Sequence, residues 1–105
     1  MWPAMAERVR TMLASPAGQI RGPDRLKPEE RAAITAAAPA QAIAKPRKAR
    51  KLQVSDIQMY SGHGTIPHGN HLLEVMAKNT GAFEPVFSND LNLLKYPAIK
   101  QFDAV

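Results

Sequence analysis

An α/β fold with a parallel sheet is what this 105-residue sequence predicts. Three observations carry the expectation. Two short β-type runs, Leu52-Gln53-Val54-Ser55-Asp56-Ile57 and Phe83-Glu84-Pro85-Val86-Phe87, flank a helical pattern. A third run, Phe102-Asp103-Ala104-Val105, follows a second helical pattern. Between the first strand and the first of these helices lies Gly62-His63-Gly64-Thr65-Ile66-Pro67-His68-Gly69, the composition of a strand-to-helix turn. Alternating strands and helices favour parallel pairing through right-handed crossovers. A parallel sheet is normally covered on both faces and extended by further strands. The pattern therefore predicts a sheet truncated after its third strand, preceded by short helices and a linker.

Along the chain, Trp2, Met5, Val9, Met12 and Leu13 form one apolar stripe of a short amphipathic helix that Ser15-Pro16-Ala17-Gly18 ends. Pro28 suits the first position of a second helix, and Glu29 and Glu30 follow where the helix dipole favours carboxylates. Pro39 stops it, and Ile34 is its only large apolar residue. Residues 39–51 are rich in Pro, Ala and cations and predict a solvated linker. Lys45, Arg47, Lys48, Arg50 and Lys51 would suit nucleic-acid phosphates, but no aromatic residues are interleaved with them, so nucleic acid is not the expected partner.

In the first strand, Leu52, Val54 and Ile57 are the expected inward residues. After the loop, Leu72, Leu73, Val75, Met76 and Ala77 give the next helix its apolar face, and Gly81 stands where a left-handed helix-ending residue belongs. Pro85 cannot donate to a ladder, which places the second strand at an edge, an end or a bulge. Ser88-Asn89-Asp90 forms a turn, and residues 91–101 a short irregular helix interrupted at Pro97. The expected organisation is a helical extension over residues 1–38, a linker over 39–51 and an incomplete α/β domain over 52–105.

Charge divides the same way. Residues 1–51 hold 11 Lys and Arg against 4 Asp and Glu, a net of +7, and residues 52–105 hold 3 against 5, a net of −2. The basic character thus says nothing about the surface around the histidine loop. No cysteine is present, which excludes disulfides, thiolate metal sites and a cysteine nucleophile within the chain. No apolar run approaches the roughly 20 residues needed to span a bilayer. Glu7, Arg8 and Arg10 interrupt the only candidate signal region. No membrane association is expected, and a cytoplasmic location is the default; a signal peptide lost by truncation would instead mean export.

The carboxyl ends of the strands are where ligands and catalytic groups gather in such folds. His63 and His68 bring groups that donate, accept or bind metal near neutral pH. Thr65 suits a ligand contact or the helix N-cap, and Asn89 and Asp90 a turn or contact with sugar hydroxyls. His68 and His71, three apart, would share a helix face; with His63, and Asp56 nearby, they form a candidate metal set.

From Arg50 onward the chain resembles the ThuA-like (trehalose-utilisation) family of the class I glutamine amidotransferase-like superfamily. The resemblance rests on Lys51-Leu52-Gln53-Val54, on His63-Gly64-Thr65-Ile66-Pro67-His68-Gly69, on Thr80-Gly81-Ala82-Phe83-Glu84, on Ser88-Asn89-Asp90 and on Gln101-Phe102-Asp103-Ala104-Val105, in that order. It covers about half the chain. Gln53, Ser55, Asp56 and Tyr60 depart from it, standing where more apolar residues or glycine are usual.

The resemblance implies a flavodoxin-like α/β domain linked to carbohydrate metabolism, with sugar-modifying or hydrolytic activity in full-length relatives and none in this portion alone. It implies a carbohydrate or small-molecule ligand held by His63, Thr65, His68, Asn89 and Asp90, with His63 the candidate catalytic group and no cofactor. Two other readings stand beside it. One is a non-enzymatic module that binds a protein partner or a second copy through its sheet edge and front helix; the other is a small metal-binding domain.

Overall fold

The computed structural model describes residues 3–14, 19–57 and 63–105. Trp2, the helix stop at residues 15–18, Tyr60 and Gly62 lie outside the described residues, as do the side chains of Val9, Met12 and Leu13. Among the described residues there are three α-helices: α1 (Pro3–Ala14), α2 (Pro28–Ala37) and α3 (Ile66–Thr80). Two strands, β1 (Lys51–Val54) and β2 (Glu84–Phe87), form a parallel pair with Lys51 opposite Glu84 and Val54 opposite Phe87. Single 3₁₀ turns occupy Pro23–Arg25, Leu91–Leu94 and Ala98–Gln101, so the expected irregular helix around Pro97 is two such turns, with a cis Tyr96–Pro97 bond between them.

Each element begins and ends where its residues dictate. Pro28 opens α2, and the Glu30 carboxylate reaches back to accept the Lys27 N–H at 2.9 Å, closing one of the amides that a helix start leaves unpaired. In α3, Pro67 lies in the first turn, where its missing N–H costs no hydrogen bond. The helix ends at Gly81, whose φ of 62° is the left-handed conformation that an L side chain resists; its N–H donates to the Ala77 carbonyl at 2.9 Å. Thr65 holds the N-cap position of α3, but its side chain makes no capping bond.

β1 is the central element of the sheet. β2 flanks one side, and the last residues flank the other: Asp103 N donates to Lys51 O at 2.8 Å and Gln53 N to Ala104 O at 3.0 Å, with a parallel bridge between Leu52 and Ala104. The expected third strand is thus reduced to a single bridge, but its direction is parallel. Pro85 sits in β2, whose only strand neighbour among the described residues is β1, in keeping with an edge position.

The expected inward residues of the first strand need correction. Gln53 is the deeply buried residue, 1% exposed, whereas Leu52 and Val54 are half-buried. Alternate strand residues face opposite ways, so the better covered face of β1 is the one that carries Gln53. Its amide donates to Ser88 O at 2.8 Å. The strand also ends earlier than expected, at Val54, because the backbone beyond it turns to side-chain partners.

α3 packs on β2, α2 packs on α3, and the Pro23–Arg25 turn lies against α3. Leu26 and Ala38, from the front half, join Ala77 of α3 as buried apolar residues. Residues 39–50 take no helical or strand form, and all their cations are exposed. Asp103 holds the end of this stretch: its carboxylate accepts Lys51 N at 2.8 Å and lies 3.3 Å from Lys48 Nζ and 3.5 Å from Arg50.

Two expectations follow. Gly81→Ala forces a Cβ into left-handed backbone and should cost about 1–2 kcal/mol in urea denaturation, even though open space surrounds the position. The Lys27 N–H, then the His68 ring, hold the Glu30 carboxyl below its ordinary value; the Lys51 N–H, then Lys48, do the same for Asp103. A depressed carboxylate stabilises the fold above its unfolded value and loses that contribution as pH falls through the folded one. Stability should therefore decline below about pH 4.5, and Glu30→Gln should flatten the upper part of that decline in pH-dependent thermal melts.

Candidate functional site

Continuing the β1–β2 register one step past Val54 and Phe87 brings Ser55 beside Ser88, and a second step brings Asp56 beside Asn89. These four residues begin the rim at the carboxyl ends of the strands. Asp56 is buried there, with 4% of its side chain exposed. Its Oδ2 accepts the Arg21 N–H at 2.8 Å and the Asn70 amide at 3.0 Å, and its Oδ1 accepts the Asn89 amide at 2.8 Å. The Arg21 guanidinium, 6% exposed, donates to the Asp56 carbonyl at 2.8 Å and lies 3.4 Å from Oδ1. Asn70 also donates to the Arg21 carbonyl at 3.1 Å. Asn89 Oδ1 in turn accepts Asp56 N at 3.0 Å and Ser55 Oγ at 3.1 Å.

Each member arrives from a different element. Asp56 follows β1, Asn89 follows β2, Asn70 lies on the first turns of α3, and Arg21 precedes the Pro23–Arg25 turn. The sequence held one local signal for this cluster: Asn70 shares a helical stripe with Pro67 and Ala77, the other buried residues of α3, and a polar residue on a core stripe calls for a buried partner. Nothing near Arg21 announces its partner, which lies 35 positions away.

An open cleft of about 590 Å³ lies on this rim. Gln19 and Ile20 line it on one side and residues 87–92 on the other. A second hollow of about 510 Å³, bordered by Ser55, Asp56, Ile57 and the Ile66, Gly69, Asn70, Leu72 and Leu73 side of α3, is more apolar. Asp90 and Asn89 thus stand at the larger cleft, as does Asn92. Asp90 caps the following turn by accepting Asn92 N at 3.0 Å.

The histidines are placed elsewhere. His63 and Thr65 are exposed on the turn before α3, where the His63 carbonyl accepts Ile66 N at 3.3 Å. His68 turns toward α2, its Nε2 3.3 Å from Glu30 Oε1. His71, 12% exposed, lies 4.0 Å from Glu74, and neither ring nitrogen has a hydrogen-bond partner among the described residues. Neither hollow is lined by His63, Thr65 or His68.

The candidate metal set is not assembled. Among the described residues no three His, Asp or Glu stand together in a way that would hold an ion. His68 and His71 share a helix but turn to separate carboxylates, and both oxygens of Asp56 already accept protein donors. Among the described residues, too, no helix is long and apolar enough to cross a membrane.

No known protein family, curated protein or solved structure matches this chain.

Removing one partner of a buried ion pair strands the other charge at a cost of about 3–5 kcal/mol. Arg21→Met should lower the unfolding free energy by that order in urea melts. Asp56→Leu also strands the Arg21 N–H and the Asn70 and Asn89 amides, so it should cost at least as much, and the double variant should lose less than the sum of the two single losses. Additive losses would mean that the charges do not act as a pair.

Proposed function

We propose that residues 52–105 form the opening strand–helix–strand portion of a flavodoxin-like, ThuA-like α/β domain, linked to carbohydrate metabolism, whose rim cleft takes a carbohydrate or similar small polar ligand. One observation carries the reading: the larger cleft lies at the carboxyl end of β2, one of the two parallel strands, and the carboxyl ends of strands are where open α/β sheets bind ligands. Its lining supports a polyhydroxylated ligand. Gln19, Ser88, Asp90 and Asn92 present amide, hydroxyl and carboxylate groups, and Ile20, Phe87 and Leu91 supply apolar surface for the C–H faces of a ring. Asp90 is the only charged side chain among the described residues of this lining, which favours a neutral ligand over an anionic one.

In this reading Asp90 and Asn92 meet the ligand, and His63 and Thr65 stand apart from it. The protein in this reading binds the ligand without turning it over, since no paired acid and base among the described residues faces the cleft.

Thermal shift with trehalose and glucose tests the proposal. Ligand at ten times its Kd should stabilise the protein by about 1.4 kcal/mol. Asp90→Ala should abolish the shift, and His63→Ala should leave it intact. Saturating sugar without any shift would remove the carbohydrate reading.

A second reading, a module that binds a protein strand, draws on the outer edge of residues 102–105, where Val105 is 66% exposed. A mass in solution that rises with concentration would favour it.

A further inference from the structure

The two sides of the rim cleft come from distant parts of the chain, yet both are fastened to one carboxylate. Gln19 and Ile20 directly precede Arg21, whose N–H donates to Asp56 Oδ2 at 2.8 Å and whose guanidinium donates to the Asp56 carbonyl. Residues 87–92 contain Asn89, whose amide donates to Asp56 Oδ1 at 2.8 Å while its own oxygen accepts Asp56 N. Consecutive Cα atoms are about 3.8 Å apart, so each side is anchored within a residue or two of the surface it presents. We infer that Asp56 is the positioning residue of the cleft: it touches no ligand, and it sets the gap between the front segment and the loop after β2.

The chemistry requires a carboxylate. Oδ2 accepts from the front segment and from α3, and Oδ1 accepts from the loop. An asparagine of the same shape has one acceptor oxygen and one donor NH₂. Whichever way its amide turns, donor meets donor on one side, and that side is released. A buried ion pair with α3 as its third contact also fixes the absolute position of both sides, because Asn70 holds Asp56 and the Arg21 carbonyl together.

The chain lacks cysteine, so a pair of introduced cysteines can be labelled without background. Gln19→Cys and Asn92→Cys, both at exposed positions on opposite sides of the cleft, would carry spin labels. Glu29→Cys with Lys78→Cys, exposed on α2 and α3, gives a reference pair. In the parent the cleft distance should be narrowly distributed. Asn89→Ala, which frees one side and leaves the ion pair in place, should at least double the width of the cleft distribution without changing the reference pair. Asp56→Asn should do the same; if that variant does not fold, Asn89→Ala decides.

An unchanged cleft distribution in Asn89→Ala overturns the inference. So does equal broadening of both pairs, which would make the cluster a general support of the fold. The ligand arm rests on the carbohydrate reading: trehalose affinity should fall at least tenfold in Asn89→Ala. If the parent binds neither trehalose nor glucose, that reading fails, and the distance measurements still decide the role of Asp56.

Discussion

A buried carboxylate with four protein donors around it organises this molecule. Asp56 follows β1, and the groups that meet it come from the front segment, from α3 and from the loop after β2. Removing a charge from water is costly, and the cost is offset only when every lone pair finds a donor. That condition fixes where four separate segments lie relative to one another. An apolar contact of equal area would tolerate sliding; this one does not, because the hydrogen bonds are directional.

The apolar core is too small to impose such order by itself. Among the described residues Leu26, Ala38, Pro67 and Ala77 are the buried apolar ones, two of them alanines, and Arg21, Gln53, Asp56 and Asn70 are buried beside them. Apolar burial yields roughly 25 cal/mol per Å², so alanine side chains contribute little. The half-buried Leu52, Val54, Val75 and Met76 add to it without sealing the interior. A fold of this kind owes its specificity to polar geometry more than to packed volume. It also explains how the front half becomes part of the structure: Arg21, Leu26 and Ala38, all buried, lie in the stretch whose composition suggested an extension.

Local signals in the sequence were sufficient for α2, α3 and the parallel strand pair and insufficient for the site. Pro28 and Pro39 bracket α2, Pro67 and Gly81 bracket α3, and each signal acts through a single backbone angle or a missing amide, so neighbours alone decide it. The parallel direction of the segments followed from their order. Register and burial did not: the strand pattern pointed to Leu52 and Val54, and Gln53 is buried because the sheet is covered more heavily on its face. The site was legible in part. Asn89 and Asp90 were marked by turn chemistry at the end of β2, which the fold places on the rim. His68 was marked by residue type alone, and its direction depended on Glu30, 38 positions earlier.

The same distinction separates Asn89 from Asp90, adjacent residues that turn chemistry marks together. Asn89 is drawn inward because Asp56 N and Oδ1 require both an acceptor and a donor, and an amide supplies both. A carboxylate in its place would face Oδ1 with like charge. Asp90, one residue on, uses one oxygen to cap the following turn and stays exposed at the cleft. Two polar neighbours therefore divide the work of the rim: the amide holds the loop in place, and the carboxylate faces the solvent that a ligand would displace. Exchanging the two side chains should disrupt both roles. Asn89→Asp would set a second negative charge against the buried Asp56, and Asp90→Asn would remove the one charge that the described residues bring to the cleft lining.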